Sequence, residues 1–369
     1  MPSKRWIVPA VSLLTLFTGA GSPRAIAAQD GAPVVVSGRV IPAGGGEVRG
    51  VRVIARAGAR ADSARVDSAG GFALPLAPGS AADAVELWVD AVDSVAPAFH
   101  PARLRLARRD VAREQEIVLV PLRWTIRGGR YDGRTVDVPL ARAFAGACKA
   151  CGGFFRGSSA RGDSGRTVLR GWPAERFPLR VAFDREWNGE KVTAGDSVSF
   201  WREAAELEET FGADLFRPAR FPDAVPTSGG GPDDVILVWF DPRMHGIAGL
   251  GTAVSDGDDI EYGDLRLNRA ALRESETYPG LVAHELMHTL GFGHTCAWRS
   301  VVADVRRCPR LRAPMPTEED VAYVQLAAAI RALQRERRGR WSVEAALAAI
   351  AAPWDRGLAA RWTESLPVP

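Results

Sequence analysis

The chain of 369 residues contains only four cysteines, four methionines, four tyrosines and five histidines. After its first 28 residues it has no uncharged apolar run of about 18 residues, the length that a membrane-spanning helix needs, so we expect no membrane anchor there. Gly and Pro, at 38 and 25 residues, show no repeating period, which excludes a collagen-like protein. The hydrophobic share of 46% and the charged share of 25% are instead typical of a globular protein with a sizeable core.

The first 28 residues have the three-part layout of a secretory signal peptide. Lys4 and Arg5 precede an apolar run at residues 6–17, and small residues follow at 25–28. We expect cleavage after Ala27. Residues 1–27 are therefore predicted to be a signal peptide, and the protein is predicted to be secreted or periplasmic.

The formal net charge of +3 comes from that leader. Residues 1–27 contain Lys4, Arg5 and Arg24 and no acidic residue, so the rest of the chain has 44 basic and 44 acidic residues. A neutral chain gives no electrostatic reason to expect nucleic acid or an anionic membrane as a partner. The oligomeric state is not defined by the sequence.

The four cysteines form two pairs that are close in sequence, Cys148 with Cys151 and Cys296 with Cys308. Export to an oxidising compartment favours disulfides, and we predict these two bridges among the three possible connectivities. Two alternatives are open for Cys148 and Cys151, namely a redox-active pair or half of a zinc knuckle. The other pair is spaced too widely to complete a knuckle.

The pattern of residues 34–120 predicts an all-β sandwich. Short segments rich in Val, Ile and Leu alternate with turns that contain Gly or Pro, and no segment has the pattern of a helix. The expected strands lie at residues 34–40, 51–55, 72–76, 85–89 and 117–120. The region resembles the carboxypeptidase regulatory-like (transthyretin-like) domains at residues 38–40, 50–53 and 67–72 and at Gly79. This resemblance implies an accessory domain without a catalytic role.

Residues 122–369 are predicted to form a second domain of α/β (α+β) type with a mixed sheet. Continuous apolar runs at residues 179–183 and 235–240 are too short for helices and predict buried strands. Two further extended segments are expected at residues 246–254 and 264–268. The chain is therefore predicted to be multidomain, with an all-β unit before an α/β unit.

Two helices are expected in the first part of the second domain. Apolar residues at helical spacing between Phe200 and Phe211 predict the first, with Asp196 or Ser197 as its N-cap and Gly212 as its end. The second is expected to open at Tyr278 and Pro279, since Pro is well tolerated at the first helical position. Its apolar face is expected to pack on the core while its polar face points into a cleft.

This second helix carries a set of potential metal ligands. His284 and His288 are one turn apart, about 40° around the axis, so both imidazoles project from the same face and can bind one cation. Gly291 lies where a left-handed residue would end the helix, and the resulting bend lets His294 return to the same ion. Three neutral nitrogens leave a fourth position open, as in catalytic zinc sites. The sequence predicts a zinc site with His284, His288 and His294 as ligands.

Glu285 is the candidate catalytic residue. It lies about 100° from His284 around the helix, near enough to reach a zinc-bound water without binding the metal. Zinc would lower the pKa of that water to about 7, and Glu285 would act as the general base that takes its proton. The hydroxide would attack a peptide carbonyl, and the proton would pass to the leaving amine. This chemistry predicts a zinc metalloendopeptidase whose substrate is a protein or peptide.

The helix and the bend after it resemble the long zinc-binding signature of the metzincin metalloproteases. The matching residues are His284, Glu285, His288, Gly291 and His294. The resemblance implies a methionine in a tight turn beneath the metal, and Met315 is the candidate because no other methionine follows the motif. It also implies an active-site helix and a C-terminal helix. We expect the latter to start at Thr317, with Asp320 completing a capping box.

The sequence departs from the family pattern in two places. The position two residues after Met315 is Thr317, where some metzincins have a tyrosine ligand, so we predict no tyrosine ligand here. Residues 1–147 contain no cysteine, so a cysteine-switch propeptide is not expected. The insertion between His294 and Met315 contains five arginines that we expect to border the substrate cleft. They are Arg299, Arg306, Arg307, Arg310 and Arg312.

Several alternatives stay open at this point. Residues 246–254 are either a plain strand or the edge strand that pairs with an extended substrate, as in metzincins. Asp256, Asp258 and Asp259 form either a calcium (Ca²⁺) site or a solvated turn. The whole protein is a secreted zinc endopeptidase, a catalytically inactive extracellular binding or adhesion protein, or a zinc hydrolase of a non-peptide amide or ester.

Overall fold

A computed structural model describes most of the region between residues 34 and 336. The described ranges are 34–76, 84–90, 99–100, 102–137, 171–184, 186–187, 190–220, 234–241, 244, 248–256, 259–273, 279–296 and 298–336. The signal peptide predicted at residues 1–27 and the bridge predicted between Cys148 and Cys151 lie outside them. Within these ranges no helix has the length and apolarity to cross a membrane.

The described chain is a mixed α/β fold with several sheets and few helices. Its first seven strands are β1 (Val34–Pro42), β2 (Arg52–Ala57), β3 (Arg60–Arg65), β4 (Gly71–Leu76), β5 (Ala84–Asp90), β6 (Ala102–Ala107) and β7 (Gln115–Leu119). They form a three-stranded sheet in the order β4-β1-β7 and a four-stranded antiparallel sheet in the order β3-β2-β5-β6. In the smaller sheet β1 pairs antiparallel with β4 and parallel with β7.

The two N-terminal sheets share one apolar core. Fully buried members of this core come from both sheets, including Val36, Leu74 and Leu119 of the smaller one and Val53 and Leu87 of the larger one. The five strands predicted from the sequence are all present, but β3 and β6 were not predicted. Strand β3 has no large apolar residue, so its composition carries no strand signal.

The later elements begin with a hairpin of β8 (Arg123–Thr125) and β9 (Thr135–Asp137). The remaining strands are β10 (Leu179–Phe183), β11 (Glu186–Trp187), β12 (Glu190–Lys191), β13 (Phe216–Ala219), β14 (Val235–Phe240), β15 (Gly249–Asp256) and β16 (Asp259–Leu267). The helices are α1 (Ala194–Phe211), α2 (Arg269–Arg273), α3 (Leu281–Thr289) and α4 (Glu318–Glu336).

Five of these strands form a mixed sheet in the order β13-β10-β14-β16-β15. All neighbours are parallel except β15, which runs antiparallel to β16 and lies at one edge of the sheet. Strands β10 and β14 have the bounds that the sequence predicts, whereas β13 and α2 were not predicted. The mixed sheet itself is confirmed.

Helix α1 ends as predicted at Gly212, which has a left-handed φ of +68°. Its predicted N-cap is wrong, because the cap is Thr193 rather than Asp196 or Ser197. The Thr193 hydroxyl accepts the Asp196 N–H at 3.2 Å, and the Asp196 carboxylate accepts the Thr193 N–H at 2.9 Å. Asp196 is therefore the third residue of a capping box, and its buried carboxylate also pairs with Arg269.

Helix α4 is capped as the sequence predicts. The Asp320 carboxylate accepts the Thr317 N–H at 3.0 Å, and the Thr317 hydroxyl accepts the Asp320 N–H at 3.4 Å. Tyr323 is fully buried on the core side of the helix. Gln325 accepts hydrogen bonds from the Trp124 indole and the Arg127 N–H, so the β8–β9 hairpin is held against this helix.

Candidate metal centre

Helix α3, which carries the predicted ligands, is enclosed rather than half-exposed. Helix α1 and strands β15 and β16 pack against it. Its apolar residues Val282 and Leu286 are fully buried, as expected. Its polar face is nearly as buried, since His284 and Glu285 are only 7% and 5% exposed. His288 is only half-buried, so the polar face is reached through a cleft that the histidines line.

The N-terminus of α3 is held by a carboxylate from another helix. The helix begins at Leu281 rather than at the predicted Tyr278 and Pro279, and its cap is Gly280 with φ +70°. As a glycine, this cap residue has no side chain that could accept an N–H. Instead the buried Glu203 of α1 accepts the N–H groups of Val282 and Ala283 at 2.9 and 3.3 Å. Glu203 thus satisfies donors that would otherwise be buried without partners.

The C-terminus of α3 closes in a Schellman turn at Gly291. Gly291 has φ +101°, and its N–H donates to the His288 carbonyl while the Phe292 N–H donates to the Met287 carbonyl, both at 3.0 Å. The predicted bend at Gly291 is therefore present. It reverses the chain within three residues and brings His294 back towards the helix.

Three imidazole nitrogens meet at one point beside α3. The Nε2 atoms of His284 and His288 are 3.1 Å apart, and each lies 3.2 Å from Nε2 of His294. In a tetrahedral site with zinc–nitrogen distances of about 2.0 to 2.1 Å, neighbouring ligand atoms lie about 3.3 Å apart. The observed spacing matches that of three ligands of one ion.

Backbone carbonyls set the tautomer of two of these rings. Nδ1 of His284 lies 2.7 Å from the Val301 carbonyl oxygen, and Nδ1 of His288 lies 2.5 Å from the Phe292 carbonyl oxygen. Because a carbonyl only accepts, each Nδ1 carries the proton and donates it. Nε2 is then left with a free lone pair that points to the common centre.

Burial keeps the three rings neutral. It lowers the pKa of His284 well below its ordinary value, lowers that of His288 to about 4, and lowers that of His294 as well. The lone pairs of His284 and His288 are aimed at a point that Nε2 of His294 also faces, and they repel one another unless a cation lies between them. This group can therefore hold a metal ion. Imidazole suits zinc, copper, iron and nickel, so the ligands alone do not define the metal.

Glu285 lies beside the histidines and lines the same cleft. Its Oε2 accepts the N–H of Gly251, in the edge strand β15, at 2.5 Å. Burial raises the pKa of Glu285 to about 7, while the Gly251 N–H and the charge of Arg312 act in the opposite direction. A carboxyl group with such a pKa can both accept and release a proton near neutral pH.

Two glycines let β15 lie directly against α3. A Cβ atom at Gly251 would be 2.2 Å from the Glu285 carbonyl oxygen, and one at Gly249 would be 2.6 Å from the Glu285 carboxylate. A side chain at Gly251 would require the strand to move away from the helix backbone, and one at Gly249 would displace the Glu285 carboxylate. Because both are glycine, the strand backbone comes within hydrogen-bonding distance of the Glu285 carboxylate.

The candidate site opens into a cleft of about 630 Å³. Its lining comes from the start of β15, from α2 and α3, and from the loop after His294. Of the five arginines expected to border it, Arg306, Arg307 and Arg312 are among the lining residues, whereas Arg299 and Arg310 are not. The volume of the cleft is thus large enough for a substrate, and one part of its lining carries positive charge.

Asp320 links the C-terminal helix to the histidine site. Its buried carboxylate accepts hydrogen bonds from the Trp298 indole at 2.8 Å, the Ser300 hydroxyl at 2.6 Å and the Val301 N–H at 3.0 Å. The carbonyl of Val301 in turn accepts the Nδ1 proton of His284. Asp320 therefore holds in place the segment that orients one of the predicted ligands.

Other predicted site residues have different outcomes. The disulfide between Cys296 and Cys308 is confirmed and closes the loop after His294. Met315 is partly buried against the main core, and its role beneath the metal stays a prediction. Asp259, proposed as a calcium ligand, forms an ion pair with Arg331 at 2.5 Å.

Among the residues that the structure describes, the three histidines are the one group of three or more side chains that could hold a metal ion. Asp258 is outside the described ranges, so the calcium site stays an untested alternative.

Sequence reasoning missed the residues that support the site from a distance. Glu203 was assigned no role, and Asp320 was predicted only as a helix cap. Gly249 and Gly251 had a signal, since two glycines that alternate along a strand indicate a close approach by another element. For Glu203 no local pattern exists, because its partners are in a different helix.

A scan of the chain against protein-family models and a search of curated proteins both find no match.

Proposed function

We propose that this protein is a secreted zinc-dependent metalloendopeptidase with a metzincin-like catalytic domain. The observation that carries the proposal is the convergence of three imidazole Nε2 atoms beside a buried carboxylate that forms no ion pair among the described residues and lines an open cleft. The match of His284, Glu285, His288, Gly291 and His294 to the metzincin signature supports the same assignment.

His284, His288 and His294 would hold the metal through Nε2. A zinc ion bound there would supply a Lewis acid that polarises the substrate carbonyl and lowers the pKa of water. Glu285 takes the proton from the attacking water and later gives it to the leaving amine. The Gly251 N–H keeps the Glu285 carboxylate pointed towards the cleft during both transfers.

The edge strand β15 supports a peptide as the substrate. In the described structure β15 pairs with β16 on one side only, and its first residues line the cleft. An extended peptide can add to such an edge through backbone hydrogen bonds. A small ester or amide would not use this edge, which is why we favour an endopeptidase over a hydrolase of small molecules.

The N-terminal sheets support an accessory role. Residues 34–120 would form a β-sandwich of the carboxypeptidase regulatory-like kind ahead of a catalytic domain at 122–369. The Cys296–Cys308 bridge agrees with an oxidising compartment and hence with the predicted export. Met315 would form the methionine turn of the family.

The proposal is tested by the exchange Glu285→Gln in the purified protein. We expect the unmodified protein to contain one zinc per chain by metal analysis and to cleave an unfolded protein such as casein. The variant should keep its zinc and lose about 10³-fold or more in kcat, because the amide cannot take a proton. Thorough chelation should abolish cleavage, and added zinc should restore it.

The alternatives give different results in the same assays. An inactive binding protein would cleave nothing before or after the exchange. A hydrolase of non-peptide substrates would act on small amides or esters but not on casein. Unchanged cleavage by the Glu285→Gln variant, or cleavage that survives removal of the metal, would contradict the mechanism.

A further inference from the structure

The cleft beside the histidines carries an excess of positive side chains. Arg306, Arg307 and Arg312 line it together with two acidic residues, Asp304 and Glu285. A pocket with more guanidinium than carboxylate groups favours an anionic ligand. An arginine can bind an anionic ligand only if its own charge is not already neutralised by a neighbouring carboxylate.

Asp304 is already used within its own loop. Its carboxylate accepts the N–H groups of Arg306 and Arg307 at 2.9 and 3.2 Å and lies 3.6 Å from the Arg307 guanidinium. It therefore neutralises part of the Arg307 charge. No described ion pair involves the side chains of Arg306 or Arg312.

Arg312 is the least exposed of the three arginines. It is half-buried, and one of its Nη atoms donates to the Pro279 carbonyl at 3.2 Å. Its Nε–H is buried and has no acceptor in the described structure. A buried N–H without an acceptor is unfavourable, so this guanidinium gains from any ligand oxygen that reaches it. Arg312 and Glu285 line the same cleft, so the guanidinium faces the space in which the reacting groups would lie.

Apolar side chains accompany this charge at the cleft. Leu250 of β15 and Val305 of the loop line the cleft and are 48% and 46% exposed. Apolar side chains that line a pocket offer contacts to the apolar part of a ligand. The cleft thus combines apolar contacts with a guanidinium that has unused hydrogen-bonding capacity.

We infer that the cleft selects peptides with a carboxylate group close to the scissile bond and that Arg312, assisted by Arg306, binds this carboxylate. This inference rests on the proposed peptidase function and names its substrate class. Guanidinium binds carboxylate through charge-assisted hydrogen bonds, often two at once. The carboxylate is either the side chain of an Asp or Glu residue or the C-terminus of the peptide.

The test uses matched fluorogenic peptides and the full-length protein. One series has Glu, Gln or Lys at each position within three residues of the cleaved bond and an amidated C-terminus. A second series has Gln throughout and ends shortly after the bond with either a free or an amidated C-terminus. We expect kcat/KM to be about tenfold higher for the carboxylate peptide than for its neutral match, as for a charge-assisted over a neutral hydrogen bond. The series that shows this preference identifies the source of the carboxylate.

Two variants assign the preference to a residue. In Arg312→Gln the ratio of kcat/KM between Glu and Gln peptides should fall to about two or less. Arg310→Gln removes the same charge two residues away, at a position that does not line the cleft, and should leave the ratio unchanged. If Arg312→Gln folds poorly, the exposed Arg306 can be exchanged for Gln instead, and a smaller fall in the ratio is expected.

Binding is measured separately from cleavage. The Glu285→Gln variant should bind the carboxylate peptide about tenfold more tightly than its neutral match by fluorescence anisotropy. Equal binding and equal cleavage of the matched peptides would overturn the inference while leaving the peptidase function intact. A preference that persists in Arg312→Gln and Arg306→Gln would also overturn it. Selective binding without any cleavage would instead refute the peptidase function and leave a carboxylate-binding site.

Discussion

The N-terminal sheets and the C-terminal mixed sheet bury different chemistry. In the described residues up to Leu119, the buried polar side chains are His100 and Gln115, and the rest of the core is apolar. The described residues from 171 onwards bury four carboxylates instead. They are Asp196, Glu203, Glu285 and Asp320. Burying a carboxylate is unfavourable unless it has partners. The later region therefore needs hydrogen-bond donors inside its core, and the N-terminal core does not.

The four carboxylates also differ among themselves. Asp196, Glu203 and Asp320 each accept backbone N–H groups at a helix terminus, and two of them take further partners as well. Glu285 is in the middle of its helix and accepts a single backbone N–H from β15 while it lines the cleft. The three structural carboxylates thus each have at least two donors, whereas the candidate catalytic one has a single donor and is left available to a substrate.

The largest effect is expected from Asp320→Ala. This exchange leaves the Trp298 and Ser300 side chains and two backbone N–H groups without their acceptor, so the free energy of unfolding should fall by about 4 kcal/mol in urea denaturation. Because Val301 would no longer be fixed, zinc affinity should also fall about tenfold in competition with a chelator. Glu319→Ala, in the same helical turn, is the matched control and should change neither quantity greatly. Unchanged zinc affinity in Asp320→Ala would show that this network does not support the site.

A smaller effect, of a different kind, is expected from Leu87→Ala. Leu87 is fully buried in the N-terminal core, and removing its side chain should lower the free energy of unfolding by about 3 kcal/mol. Zinc affinity measured where the variant is still folded should be unchanged, because Leu87 belongs to the other core. Weakened zinc binding in this variant would show that the two regions are coupled.

The smallest effect is expected from Glu203→Gln. The amide oxygen can still accept the Val282 and Ala283 N–H groups, but the negative charge at the N-terminus of α3 is lost. We expect a loss of about 1 kcal/mol in the free energy of unfolding. Glu203→Ala, which removes the acceptor altogether, should cost more and should weaken zinc binding as well. If the two variants behave alike, the hydrogen bonds do not position the helix.

The histidine cluster could be predicted because it lies within one helix and the turn after it. Helix geometry places His284 and His288 on one face, and Gly291 marks the bend that returns His294, so spacing alone defines the cluster. The same holds for Cys296 and Cys308, which are close in sequence. Their bridge is confirmed, whereas the bridge predicted for Cys148 and Cys151 lies outside the described residues.

What the sequence could not predict depends on partners that are distant along the chain. The carboxylate of Glu203 accepts the N–H of Val282, 79 residues after it, and no periodicity connects the two. Strand β13 was missed because it is short and partly exposed, and strand pairing rather than its own composition holds it in the sheet. The N-cap of α1 was predicted at Asp196 or Ser197 because Asp and Ser are both good caps, and only the backbone shows that Thr193 comes first.

The glycines at 249 and 251 limit how this cleft could be redesigned. A side chain at either position would collide with Glu285, so that wall can offer a substrate little besides its main chain and Leu250. New selectivity would have to be engineered in the disulfide-closed loop and at the arginine after it. An engineer could therefore randomise residues 305–307 and 312 while keeping the strand wall constant.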